Sequence, residues 1–176
     1  MIKIYNDIPI SIFLALSFVL IFLMFNANVI SVVPCNKTIK DVFLSNFVHL
    51  DTAHLISNLY ALYALSRVEK QMGYKSFIWL FIFILLLNTL LEFVVIKLFN
   101  NVNCSIGFSG VLFGLMTWEI TRNNEVDIQI ILAIIATVLS SSSGKNNISL
   151  VGHFIGAISG IIGSSLWKYI NTKSFV

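Results

Sequence analysis

Ser109, in Gly107-Phe108-Ser109-Gly110, opens one apolar stretch of the chain, and His153 opens another. A serine hydroxyl is a weak nucleophile until a base takes its proton, and an imidazole does this well near neutral pH. A third apolar stretch opens with His54 and Asn58, four residues apart and therefore on one helix face. Both side chains can donate hydrogen bonds, which amide hydrolysis needs where the oxyanion develops. A nucleophile, a base and two donors are the parts of a hydrolytic site. Each residue also has a plainer use. A buried serine can bond its own helix backbone. A lone intramembrane histidine serves as a packing residue or proton relay. His54 and Asn58 can make a polar interhelical contact worth about 1 kcal/mol. The tetrapeptide is not the G-x-S-x-G elbow of soluble hydrolases, because glycine follows the serine directly.

The elements that carry these residues are read from composition. The chain has 176 residues, 57% hydrophobic and 11% charged, against about 25% charged in a soluble domain. That implies an all-α, polytopic membrane protein with a single domain over residues 1–176 and six transmembrane helices. The expected spans are about 8–25, 50–67, 74–98, 109–121, 126–139 and 148–169. The segment Asn26–Val48 between the first two reads as polar connection. The fourth and fifth spans are short, which is tolerable if neighbouring protein buries their ends. The first stretch lacks a small-residue cleavage site and reads as a retained span rather than a signal peptide. The net charge of +3 is scattered among loops. It makes no basic patch of the kind nucleic-acid binding requires.

Charge also orients the spans. With a cytoplasmic N-terminus, Lys37, Lys40, Lys97 and Lys145 fall outside and the other seven basic residues inside. This favours both termini in the cytoplasm of a cell whose inner (plasma) membrane holds the protein. Spans two, four and six then all run inward from the outer face. At 1.5 Å per residue, His54, Ser109 and His153 all lie within roughly 10 Å of that face. Such a layer can be wetted from outside. The turns Asn100–Ser105 and Ser140–Asn147 flank it.

Glycines supply a way to join the layer. Gly110 and Gly114 are four apart, as are Gly152, Gly156 and Gly160. That spacing lets two helices approach closely. Spans four and six packed on these seams bring Ser109 and His153 within reach of each other. Three histidines raise a metal site, but the spacings of His49, His54 and Asn58 are not a zinc pattern. No metal and no cofactor are expected. Asp51 reads as a helix cap. His49 either braces the loop before the second span or is an ordinary interfacial residue.

The ordered set His49-x4-His54-x3-Asn58, Gly107-Phe108-Ser109-Gly110 and Gly152-His153-x2-Gly156-x3-Gly160 resembles the rhomboid intramembrane serine proteases in their minimal six-span bacterial form. Glu69-x3-Gly73 resembles the element after that family's second span. The resemblance covers nearly the whole chain. It implies a serine endopeptidase with Ser109 as nucleophile, His153 as base, and His54, Asn58 and the Ser109 amide as oxyanion hole. It implies that Gly107 lets the preceding loop dip into the site. The implied partners are transmembrane substrate proteins cut near their outer ends, in a lipid bilayer, with access between spans two and five. Three positions depart from the pattern. The first loop lacks a Trp-Arg pair, Gly152 stands where alanine is common, and Phe113 stands where many members stack a tyrosine on the catalytic imidazole. A rhombosortase-like subtype is also compatible. The main rival is an inactive rhomboid-like protein that binds transmembrane helices. Such proteins typically lose the serine or histidine. A transporter or proton channel predicts polar residues through the full membrane depth, whereas the histidines here cluster on one side.

Other residues carry weaker expectations. Glu92, with Asn88 a turn before it, is a functional candidate as an intramembrane acid but reads more simply as interfacial, near Lys97; Glu119 with Arg122 reads as an exposed i,i+3 pair. Cys35 and Cys104 both map outside, where a disulfide between them is one possibility. Trp79, Trp118 and Trp167 read as interfacial anchors.

Overall fold

The computed structural model describes residues 9–31, 38–99, 104–123, 127–143 and 150–173. Among these, every regular element is an α-helix: α1 (Ile10–Asn26), α2 (Ile39–Ser45), α3 (Thr52–Met72), α4 (Tyr74–Leu98), α5 (Ser109–Asn123), α6 (Ile128–Ser143) and α7 (Leu150–Lys173). Six long helices correspond in order to the six apolar segments. Residues 8, 126 and 148–149, at the starts of three expected spans, lie outside the described residues. So do Cys35 and most of the turns expected over 100–105 and 140–147.

Two helices, Tyr74–Leu98 and Leu150–Tyr169, are long and apolar enough to cross a membrane on their own; Ile10–Asn26 and Ile128–Leu139 are apolar but shorter. The outward faces supply the rest of the evidence for lipid. Leu16, Leu20 and Leu23 on α1, and Ile128, Leu132, Ile135 and Leu139 on α6, form exposed apolar rows at helical spacing. Water rarely faces such rows, and hydrocarbon suits them.

Local chemistry sets the breaks. Thr38 and Asp41 form a capping box that starts α2, a helix not expected within the polar segment Asn26–Val48. Asp51 accepts from the His54 amide at 2.8 Å and caps α3, as its position suggested. α3 runs past Arg67 to Met72, because Val68 and Glu69 are buried rather than interfacial. It turns into α4 at Gly73, whose φ of 79° favours glycine.

Glu69 explains why that last turn is buried. Its carboxylate accepts from the amides of Ile10 and Ser11 at 2.6 and 3.0 Å and from the Ser11 hydroxyl at 2.7 Å. It thus satisfies orphan donors at the start of α1, where negative charge is also favoured by the helix dipole.

At the centre α5 lies against α7 backbone to backbone. A Cβ on Gly110 would meet the Gly152 carbonyl oxygen at 3.1 Å, and one on Gly114 the Gly156 carbonyl oxygen at 3.1 Å. A Cβ on Gly156 or Gly160 would overlap the carbonyls of Gly110 and Gly114. The pairings advance together along both helices, so α5 and α7 are parallel. α4 runs the other way beside them, with Ile84 near Gly114 and Asn88 near Gly110. Phe108, Leu112, Leu115 and Met116 fill the core between α5 and its neighbours.

Two expectations fail here. Trp118 is fully buried, lying edge-on to Trp167 at 5.8 Å with the Arg122 guanidinium 4.6 Å over its ring. The Glu119–Arg122 pair exists at 3.6 Å but is largely buried, not a surface pair. The close α5–α7 packing encloses this C-terminal end of α5, which hydropathy alone placed at an interface.

Candidate active site

The α5–α7 seam brings the two N-terminal ends together. His153 Nε2 lies 2.9 Å from Ser109 Oγ, and both residues are buried. Two helices that start at the same level and pack in parallel must present their first turns to each other. Gly110 and Gly152, each adjacent to one member of the pair, remove the side chains that would hold those turns apart. With its proton on Nδ1, the imidazole accepts the Ser109 hydroxyl hydrogen at Nε2.

Phe113, one turn after Ser109, stacks on His153 with ring centroids 4.4 Å apart and planes inclined by 11°. A face-on phenyl leaves Nε2, at the ring edge, directed at Ser109. Phenylalanine therefore keeps the stacking surface expected at this position.

The strap before Ser109 is held in a conformation only glycine adopts easily. Gly107 has φ 105°, and its amide donates to the Ser45 carbonyl at the end of α2 at 2.9 Å. A Cβ on Gly107 would overlap the His54 ring. Gly107 thus admits the α3 histidine to the Ser109 side of the strap. Neither ring nitrogen of His54 has a hydrogen-bond partner among the described residues. A buried, unpaired polar group is costly unless something else occupies it.

Asn58 sits one turn further along α3. Its Nδ2 lies 2.7 Å from His49 Nε2, and both residues are fully buried. One amide hydrogen bonds the imidazole and the second is left to donate elsewhere. His49 thus joins the loop before α3 to Asn58 of α3. It also packs on Phe18 of α1 and on His54, at 5.1 and 5.2 Å between centroids. Burial, aided by the neighbouring His54, pushes the His49 imidazole down to about 3, so it is neutral near pH 7.

Four elements thus converge: α3 with His54 and Asn58, the strap with Gly107, α5 with Ser109 and Phe113, and α7 with His153. No group of three or more His, Cys, Asp or Glu suited to a metal exists among the described residues.

Glu92 carries two readings from sequence, a functional intramembrane acid and an interfacial residue near Lys97. Its carboxylate is buried and accepts from the Ser105 amide, while Lys97 lies over the Phe93 ring. Its four-residue spacing from buried Asn88 was the available signal. Cys104, next to Ser105, is disulfide-bonded.

Comparison with known proteins gives two matches. The family described as the Rhomboid domain matches residues 36–168. A protein of Acanthamoeba polyphaga mimivirus, described as a candidate rhomboid protein, is 31% identical over 132 residues, which is 72% of this chain and 74% of that one. No solved structure matches the chain.

Proposed function

The chain belongs to the rhomboid family, an integral membrane family with intramembrane protease-like function, and from that premise we propose that it is an active intramembrane serine endopeptidase. Its substrates are transmembrane helices, cut near the outer membrane face. The single observation that carries this reading is the 2.9 Å contact between Ser109 Oγ and His153 Nε2.

In the proposed reaction Ser109 Oγ attacks the scissile carbonyl carbon while His153 Nε2 takes the hydroxyl proton. The carbonyl oxygen becomes an oxyanion, which the Ser109 amide, the free Asn58 hydrogen and His54 are placed to receive. The tetrahedral centre collapses, the C–N bond breaks, and His153 returns the proton to the leaving amine. Water then attacks the acyl-serine, giving its proton to His153; the ester C–O bond breaks, the new carboxyl end leaves, and His153 returns the proton to Ser109 Oγ.

Ser109 and His153 are covered in the observed conformation, so a substrate helix needs an opening. The proposed opening lies between α3 and α6. Their inner ends are tied by an exposed Arg67–Asp127 ion pair at 3.1 Å and an Arg67–Gln129 contact at 3.3 Å. α6 then swings at its outer end. A substrate helix must also unwind locally, because its carbonyls are otherwise bonded within the helix. The charge asymmetry supports both termini on the cytoplasmic side, the resemblance to the minimal bacterial form suggests a bacterial inner membrane, and the six long helices support six spans in one domain.

The test uses purified protein in liposomes with a generic transmembrane substrate. Wild type cleaves it; Ser109→Ala and His153→Ala do not. Binding without cleavage by wild type would instead identify an inactive helix-binding member.

A further inference from the structure

We propose that Glu92 is a positioning residue for the Ser109–His153 pair, acting through Ser105; this rests on the protease reading above. A carboxylate inside an apolar helix is expensive, so its placement calls for a reason. Glu92 is 2% exposed and meets no cation in an ion pair among the described residues. Its carboxylate accepts from Ser105, both from the backbone amide at Oε1 and from the side-chain hydroxyl. This amide is four residues before Ser109 and precedes α5, so the contact is not a helix cap. What it fixes is the strap.

Ser105 in turn touches the other half of the site. A Cβ on Gly152 would overlap the Ser105 hydroxyl, so this side chain lies directly against the backbone preceding His153. On its far side the strap is tied by the Gly107 amide to Ser45 of α2. Glu92 is therefore the α4 tie of a segment that leads into the nucleophile and abuts the base. Without it, the Ser105 amide loses its acceptor and the strap is free on the α4 side. Misplacement of a catalytic pair by about 1 Å can slow turnover about 100-fold. Because Glu92 contacts neither Ser109 nor His153, its loss reaches the chemistry only through the strap, and substrate docking is spared.

The experiment measures kcat and KM on a transmembrane substrate in liposomes, fluorophosphonate labelling of Ser109, and unfolding of the same preparations. Glu92→Leu is expected to lower kcat and slow labelling by about tenfold or more, with KM within about twofold. Glu92→Gln keeps an oxygen acceptor and stays within about threefold of wild type. Wild-type labelling by Glu92→Leu, a fall confined to KM, or equal damage from both substitutions overturns the proposal. Should Glu92→Leu fail to fold, Gly152→Ala reads the contact from the other side. It slows labelling, and Ser105→Gly in the same chain restores it in part, because the residue 105 amide still reaches Glu92; absence of any rescue overturns the proposal. A wild type that neither cleaves nor labels defeats the protease reading itself, and this proposal with it.

Discussion

Phe113 and His153 lie face to face, 4.4 Å apart and nearly parallel, although they come from different helices. The stack fixes the plane of the imidazole and so the direction in which Nε2 points. Phe113→Ala removes it, and aromatic pairs of this kind are worth about 1 kcal/mol beyond burial, or roughly fivefold in rate. The expected outcome is a fall of about that size in kcat/KM, with Phe113→Tyr close to wild type. Steady-state cleavage assays read it. An unchanged Phe113→Ala rate would detach the stack from catalysis.

The glycine seam makes a graded prediction. Gly156→Ala drives a methyl group into the Gly110 carbonyl, whereas a Cβ on Gly163 meets only side-chain atoms at 3.1–3.4 Å. Backbone cannot yield as a side-chain end can. Gly156→Ala is expected to destabilise by about 1–3 kcal/mol and to abolish most activity. Gly163→Ala stays within about 1 kcal/mol. Unfolding in mixed micelles, followed alongside cleavage, compares the two.

Glu69 holds up the start of α1 without touching the site. Glu69→Ala leaves the Ile10 and Ser11 amides unpaired and is expected to cost about 1–3 kcal/mol of stability. Cleavage by the fraction that remains folded is unaffected. A matched loss of kcat at temperatures where the variant is folded would contradict this.

How much of this was legible in the sequence depended on whether the cause was local. Ser109 and His153 were readable because their glycine seams repeat every four residues, so pairing follows from helix geometry alone. Asp51 was readable as a cap for the same reason. Glu92 was legible as a functional candidate but its partner was not, since it bonds a strap amide that folds back on α4 from 13 residues later. Trp118 and the Glu119–Arg122 pair misled because hydropathy places the inner end of a short helix at an interface, whereas α7 covers it here. α2 hid in a polar segment because a seven-residue helix capped by Thr38 and Asp41 has too little apolar periodicity to stand out.

Linkage at His49 gives a pH signature. Its folded value is pushed down to about 3 by burial, against an ordinary value near 6.5. Between these limits the unfolded chain binds a proton that the folded chain does not. Stability from this group is therefore present above about pH 6.5 and is lost as pH falls toward 3. His49→Gln should flatten the pH dependence of the unfolding midpoint across that window. A slope identical to wild type would show that His49 is charged when folded.

The α3–α6 tie tests the proposed route of access. An exposed ion pair such as Arg67–Asp127 is worth less than about 1 kcal/mol. Asp127→Ala is thus expected to raise cleavage of a transmembrane substrate by at most about fivefold. Labelling by a small fluorophosphonate, which needs no such wide opening, is unchanged. Equal acceleration of both would place the barrier elsewhere.

The most direct measurement is the mass of the Ser109 peptide after wild-type protein and His153→Ala are treated with a fluorophosphonate under the same conditions. The account predicts a stoichiometric adduct on Ser109 in wild type and essentially none in His153→Ala, since the hydroxyl is nucleophilic only while Nε2 can take its proton. Equal labelling of both, or an unmodified Ser109 in folded wild type, would contradict it.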